Sequence, residues 1–325
     1  MSDVKELPPL RLRVLGALRG EPDWPAMTAE GLAAYREAEN RRRASRLMRV
    51  ITGIPDRGAE IRWREVALPD RRLRVRVYRP ARADGHLPLV LHVHAGGMVG
   101  TAVQSDWLNS HLAARLPSVV VSVEHRLLAP GTPLSCAADD GWDALRHLLE
   151  HAASWGIDPG RVAVAGESAG ALIVALAAIR ARDAGLPLRA QVLANPCLDL
   201  TSTMLDHASM TEHAHSPTLS VTQVEAFRRY AVPPGTDPRA VSPLHADDLT
   251  GLAPALVVVP TIDPVADHGR RYAERLDAAG TPARLAEHPG ATHGLVSMPG
   301  LMPQARTART QLTGFLRDHL TSGER

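Results

Sequence analysis

A serine hydroxyl becomes a useful nucleophile only when a base takes its proton. The base in turn needs an acid to fix its tautomer and balance the charge it gains. Ser168 stands where such chemistry is built, in Gly166-Glu167-Ser168-Ala169-Gly170. This Gly-x-Ser-x-Gly pattern follows the apolar run Val162-Ala163-Val164-Ala165 directly, and a small-residue helical pattern continues to Leu176. Glycines two residues before and after the serine remove Cβ atoms that would clash in a strained strand-to-helix turn, so the Oγ stands clear at the sheet edge. The bare pattern arises by accident in roughly one chain in ten of this length, so the flanking strand and helix carry the assignment.

The acid and the base are sought in loops after later strands. Asp263 follows the apolar run Ala255-Leu256-Val257-Val258-Val259, in Pro260-Thr261-Ile262-Asp263-Pro264, where a strand-end carboxylate points over the sheet. Taken alone, Asp263 also reads as the cap of the helix that Pro264 opens, and Asp267 belongs to that helix. His293, in Pro289-Gly290-Ala291-Thr292-His293-Gly294, is one of 15 histidines. Order singles it out, because Ser168, Asp263 and His293 follow the serine, acid, histidine succession of α/β-hydrolases.

Attack on a carbonyl creates an oxyanion, which preorganised N–H donors stabilise. His94-Ala95-Gly96-Gly97 follows another apolar run, and its glycines let backbone approach a substrate; the donors are the N–H groups of Gly96, Gly97 and Ala169. A rival use of this stretch is metal binding, since His92 and His94 share one strand face and His213 and His215 have the same spacing. No further ligand set with a recognisable spacing accompanies either pair, and Asp139-Asp140 starts a helix. No metal and no cofactor are expected.

Continuous apolar runs at Pro88 to Val93, Val119 to Val123 and Val162 to Ala165 mark strands buried on both faces, and Ala190 to Ala194, Ala255 to Val259 and Ala283 to Ala286 are further strand candidates. Helical stretches fall between them, near 137–155, 267–279 and 303–320. Ahead of these, Ile61 to Val66 and Leu73 to Tyr78 alternate apolar with polar around Pro69-Asp70, an antiparallel edge hairpin. The fold class is α/β, a three-layer αβα sandwich with a mostly parallel sheet. Residues 201–241 are too long for an ordinary connection. With residues 1–55 they are expected to form a helical cap over the sheet edge where open α/β sheets bind ligands. In the N-terminal part Thr28 caps a helix with Leu32, Tyr35, Leu47 and Met48 on its apolar side and Glu30, Glu37, Glu39 and Arg41-Arg42-Arg43 on its wet side. The expected division is 1–55 as the N-terminal part of the cap, 56–200 as the first part of the core, 201–241 as the cap insertion and 242–325 as the second part of the core.

The 325 residues, 45% hydrophobic and 22% charged with a net charge of +2, describe a globular chain with no electrostatic case for nucleic acid. Two cysteines, Cys136 and Cys197, imply no disulfide framework and fit a reducing cytoplasm. Arg11, Arg13 and Arg19 break up the N-terminal apolar residues, and no run approaches transmembrane length, so no membrane partner is expected.

The sequence closely resembles the hormone-sensitive-lipase-like branch of the α/β-hydrolase esterases, the bacterial family IV carboxylesterases. His94-Ala95-Gly96-Gly97 is similar to the family's HGGG, Glu124-His125-Arg126-Leu127-Leu128-Ala129-Pro130 to its [ED]YRLAPE block, and Gly166 to Gly170 to GESAG. Ser242-Pro243-Leu244, Asp263-Pro264-Val265-Ala266-Asp267 and His293-Gly294 resemble its SPL, DPLxD and HGF segments, and the likeness runs from about residue 60 to 320. The resemblance implies Ser168 as nucleophile, His293 as base, Asp263 as orienting acid, an oxyanion hole from Gly96, Gly97 and Ala169, and the cap. Ala95, Met98, His125, Thr261 and Val265 depart from the family pattern: Ala95 leaves the two donor glycines in place and implies a constrained loop, Met98, Thr261 and Val265 point to atypical alcohol and acyl pockets, and His125 stands for the family's tyrosine. The expected function is hydrolysis of small, short-chain acyl esters, a small-molecule ester being the partner. Amidase or lactonase action with the same three residues is the alternative, and a non-catalytic receptor on the same scaffold, like the gibberellin receptors, is the rival from another class. The family often forms homodimers through its last edge strand, here near Ala283 to Glu287.

Overall fold

The computed structural model describes residues 7–18 and 20–321. Its main sheet has eight strands. An antiparallel hairpin of β1 (Ala59–Ala67) and β2 (Arg72–Pro80) pairs in unbroken register from Ala59 opposite Pro80 to Ala67 opposite Arg72. Then come β3 (Leu87–Val93), β4 (Val119–Val123), β5 (Ile157–Glu167) and β6 (Ala190–Ala194). A two-stranded ribbon, β7 (His215–Ser216) with β8 (Leu219–Ser220), stands apart; β9 (Ala255–Ile262) and β10 (Ala283–Thr292) complete the sheet. The order is β1-β2-β4-β3-β5-β6-β9-β10, antiparallel as far as the β2–β4 pair and parallel from β4 onward.

Strand periodicity divides the core into two layers. Leu89, Leu91, Val121, Val164, Leu193 and Val257 pack on one face with the helices Leu134–Glu150, Ala169–Asp183 and Ala266–Ala278. Val90, Val120, Ala163, Ala165, Val192 and Leu256 pack on the other with Asp106–Arg115 and Gln304–Leu320. Each fully buried valine or leucine contributes about 1.5–3 kcal/mol, so both faces must be covered, and three layers result. The polar residues His92 and Ser122 are register partners on β3 and β4 and bond each other at 2.9 Å.

Three strands run further than their apolar cores. β5 begins at Ile157, while β9 and β10 extend to Ile262 and Thr292, so Asp263 and His293 each stand directly at a strand end. The N-terminal reading needs correction. Thr28 does cap the helix Ala29–Ala44, accepting the Gly31 N–H at 3.1 Å, but the helix stops at Ser45, whose ψ is 150°. A 3₁₀ turn, Arg46–Met48, follows, and the changed period turns Leu47 out to 84% exposure instead of placing it on the apolar side. Glu39 is buried rather than wet, held by Arg42 at 2.6 Å and by Arg43 at 3.0 Å. Sequence periodicity could not foresee this, because a buried carboxylate depends on partners one turn further along. The helix Leu10–Leu18 was not anticipated either.

Candidate active site

The turn from β5 into the helix Ala169–Asp183 holds Ser168 at φ 57° and ψ −120°, one of two non-glycine residues with positive φ among those described. Its N–H donates to Ala194 O at 2.9 Å, which ties the strained residue to the end of β6. The flanking glycines are required by contact. A Cβ at Gly166 would stand 2.3 Å from Gly170 O, and one at Gly170 would stand 2.2 Å from Val93 O. The start of the helix is thereby pressed onto the end of β3, and the two loops meet.

Ser168 Oγ donates to His293 Nε2 at 2.6 Å, and His293 Nδ1–H donates to Asp263 Oδ2 at 2.8 Å. The other carboxylate oxygen accepts the Val265 N–H at 3.0 Å, and Asp263 is wholly buried. Burial opposes charge on His293, but the adjoining Asp263 carboxylate, helped by Glu167, outweighs it and raises the histidine pKa above its ordinary value. The three predicted residues, from three separate strand ends, therefore form one hydrogen-bonded chain that can pass a proton from hydroxyl to imidazole.

The loop after β3 is tied down through its carbonyls. Ala95 O accepts from Gln104 Nε2 at 2.8 Å, Gly97 O from the Leu128 N–H at 2.8 Å, and Met98 O from Arg36 Nε at 2.7 Å; Arg36 Nη2 also donates to Leu128 O. The N–H groups of Gly96, Gly97 and Ala169 have no acceptor among the described residues, and all three residues line the cleft beside Ser168. Ala169 adds the positive end of its helix. Gly96 has φ 101°, and a Cβ there would stand 1.8 Å from Val99 O, so glycine is obligatory. Ala95 has no positive φ, which explains why an alanine fits where the family pattern has glycine.

The other departures find physical roles. Val265 serves Asp263 through its backbone N–H, while its buried side chain packs in the core. Thr261 Oγ1 accepts the Gly290 N–H at 2.9 Å and ties β9 to the irregular part of β10 just before His293. His125 stacks on His94 with ring centroids 4.5 Å apart. No aromatic ring stands at Met98; rings come instead from Phe227, Trp24 and Tyr35, which line the cleft. Phe227 lies so close to Gly97 that a Cβ there would come within 2.1 Å of its Cε2.

Several contributors escaped the sequence reading. Glu167, inside the serine motif, is buried and accepts the Val296 N–H at 3.1 Å, bracing the loop after His293; burial raises its own pKa. Asn195 has φ 35° and stands 3.5 Å from His293 Nε2 through its Nδ2. Gln104 and Arg36 carried no sequence signal, since what they hold in this loop are backbone carbonyls. Around the serine the cleft spans about 1220 Å³ including its mouth. Residues from both the N-terminal stretch and 201–241 line it, among them Arg43, Ile51, Leu219 and Val224.

His92 and His94 are engaged elsewhere. His92 Nδ1 lies 3.1 Å from Asn109 Nδ2, and His94 Nδ1–H donates to Ala95 O at 3.0 Å. Among the described residues no group of three or more His, Cys, Asp or Glu side chains is arranged to hold a metal, and no helix is long and apolar enough to cross a membrane.

A profile of the alpha/beta hydrolase fold family matches residues 90–297. The chain is 40% identical over 244 residues to carboxylesterase NlhH of Mycobacterium tuberculosis, covering 72% of this chain and 74% of that protein. It is 35% identical over 257 residues to the ethyl acetate hydrolase of Pseudomonas putida, covering 76% and 79%. Among solved structures, ester-hydrolase EH1AB1 from the Lake Arreo metagenome, complexed with a bipyridine phosphonate derivative, superposes with a TM-score of 0.85 at 31% identity, over 96% of this chain and 99% of that one.

Proposed function

The chain belongs to the hormone-sensitive-lipase-like carboxylesterases of the α/β-hydrolase fold, and from that premise we propose that it is a serine esterase acting on small, uncharged, short-chain acyl esters. Ser168 attacks the ester carbonyl while His293 takes its proton. Asp263 holds the imidazole in the needed tautomer and balances its charge. The oxyanion is met by the N–H groups of Gly96, Gly97 and Ala169. His293 then gives the proton to the leaving alcohol, and in a second half-reaction activates the water that releases the acid from the Ser168 acyl-enzyme.

The observation that carries this reading is the continuous chain from Ser168 Oγ through His293 to Asp263, at 2.6 and 2.8 Å. A receptor on the same scaffold has no use for it. Small acyl groups fit the closeness of Phe227 to Gly97, and uncharged ones fit a cleft whose Arg42 and Arg43 are both tied to Glu39. The segments 1–55 and 201–241 act as the cap that selects among esters, the neighbouring residues forming the hydrolase core. Work in the cytoplasm and pairing of two copies through β10, the last strand of the sheet, complete the proposal.

Ser168→Ala tests it. The variant should lose about a millionfold in kcat on a short p-nitrophenyl ester and fail to label with a fluorophosphonate probe. Hydrolysis at the parental rate by the purified variant would sink the mechanism, and a parent that takes up no fluorophosphonate would favour the receptor.

A further inference from the structure

Six of the eight large apolar side chains exposed among the described residues precede residue 55: Leu7, Leu10, Val14, Leu47, Val50 and Ile54. The last three are 84%, 81% and 72% exposed and stand within one short stretch, the turns Arg46–Met48 and Arg49–Thr52 and their exit. Met48, Ile51 and Thr52 of the same stretch line the catalytic cleft. The segment is thus a wall with the cleft on one side and bare hydrocarbon on the other. Isolated apolar residues need no explanation, whereas a cluster on a segment that also lines a cleft marks an interaction surface.

The charges left unpaired along this stretch are of one sign, since the neighbouring Asp56 is held by Arg115 at 3.1 Å. From Asn40 to Pro55 there is no carboxylate. Arg41, Arg42 and Arg43 are committed to Glu37 and Glu39, but Arg46, Arg49 and Arg57 are exposed and form no ion pair among the described residues. The N-terminal helix adjoins the same place: Gly300 N–H donates to Ile51 O at 2.9 Å, and Gly300 O accepts from Arg11 at 3.4 Å. Leu10 and Val14 of that helix are exposed as well.

Apolar side chains set among unpaired arginines match a surface whose interior is hydrocarbon and whose headgroups are anionic. A second copy is a poorer occupant, since a two-fold contact on this face would set Arg46 and Arg49 against their own equivalents. We propose that the face carrying Leu47, Val50 and Ile54 docks the protein onto an anionic lipid surface, the same segment lining the cleft with Met48, Ile51 and Thr52. The sequence argument against a membrane partner excluded a spanning segment; this face lies on the surface without crossing it. The docking does not depend on the role given to Ser168.

Co-sedimentation of the full-length chain with vesicles tests the proposal. The protein should pellet with mixed phosphatidylglycerol and phosphatidylcholine vesicles, not with phosphatidylcholine alone, and rising salt should release it. Each arginine near such a surface is worth about fivefold in partitioning, so Arg46→Glu with Arg49→Glu should weaken binding by at least about 25-fold. The triple variant Leu47→Ser, Val50→Ser and Ile54→Ser should abolish it. Both variants should keep the parental melting temperature and the parental rate on a dissolved ester, because none of these side chains lines the cleft. Absence of binding, or equal binding to both vesicle types, would overturn the proposal. So would a dimer in light scattering that the serine variant converts to monomer, which would assign the face to a second copy.

Discussion

Asp263→Asn changes one atom and should nearly silence the protein, for a reason that lies in a neighbouring backbone group. Asp263 Oδ1 accepts the Val265 N–H at 3.0 Å, and Oδ2 accepts from His293 Nδ1 at 2.8 Å. An asparagine has one acceptor and one donor end. The fixed Val265 N–H takes the acceptor, since the reverse orientation would set two donors against each other in a wholly buried site. The amide NH₂ then faces His293 Nδ1 and forces the proton onto Nε2, so the imidazole meets Ser168 as a donor instead of a base. The expected loss in kcat is about ten-thousandfold, about 5.4 kcal/mol of transition-state stabilisation. KM should hardly move, because the carboxylate is buried behind the histidine. Steady-state hydrolysis of p-nitrophenyl acetate measures both quantities. An asparagine variant within tenfold of the parent would refute the claim that Val265 dictates the tautomer.

Other expectations follow from the same structure. The His293 pKa is raised above 6.5, so the acid limb of kcat/KM should lie above that pH. Glu167→Gln keeps an acceptor for Val296 but removes a charge that raises the histidine, and should move the limb to lower pH; an unmoved limb would show that Glu167 only braces the loop. Gly170→Ala inserts a methyl 2.2 Å from Val93 O, which must push Ala169 away from Gly96 and Gly97. It should lower kcat by about 10²–10³, as loss of an oxyanion donor does, and lower the melting temperature as well. Burial pushes His92 and His268 down to about 3 and His94 and His125 down to about 4, while the unfolded chain binds these protons near 6.5. Between those limits the unfolded state holds more protons, so stability falls as pH drops below 6.5, by about 1.4 kcal/mol per pH unit for each histidine. Thermal melts from neutral pH to pH 4.5 should show the slope, and His125→Tyr should make it shallower; an unchanged slope would mean that His125 is not buried neutral.

How far the chain could be read before its structure was in hand depended on whether a residue acts through its own chemistry or through its surroundings. The meeting of Ser168, Asp263 and His293 was legible because a serine, acid and histidine joined by hydrogen bonds must come from strand ends, and apolar runs mark strand ends well. The register split between the two core layers follows from the same runs. Gln104 and Arg36 were not legible, since they clamp carbonyls of the loop after β3, and a backbone carbonyl is the same at every position. Ala95 and Val265 looked like departures for the converse reason: the site uses the Ala95 carbonyl and the Val265 N–H, which a sequence comparison reads as altered side chains. The N-terminal stretch was least legible. Its helix is stopped by a serine no worse at ending helices than several inside them, and the single turn after it decides which apolar residues face the cleft and which face outward. Met48 and Ile51 on one side, Leu47 and Val50 on the other, differ in nothing but that rotation. The segment that lines the cleft is therefore also the one that meets whatever lies outside it, and any ester selected there is selected together with its surroundings.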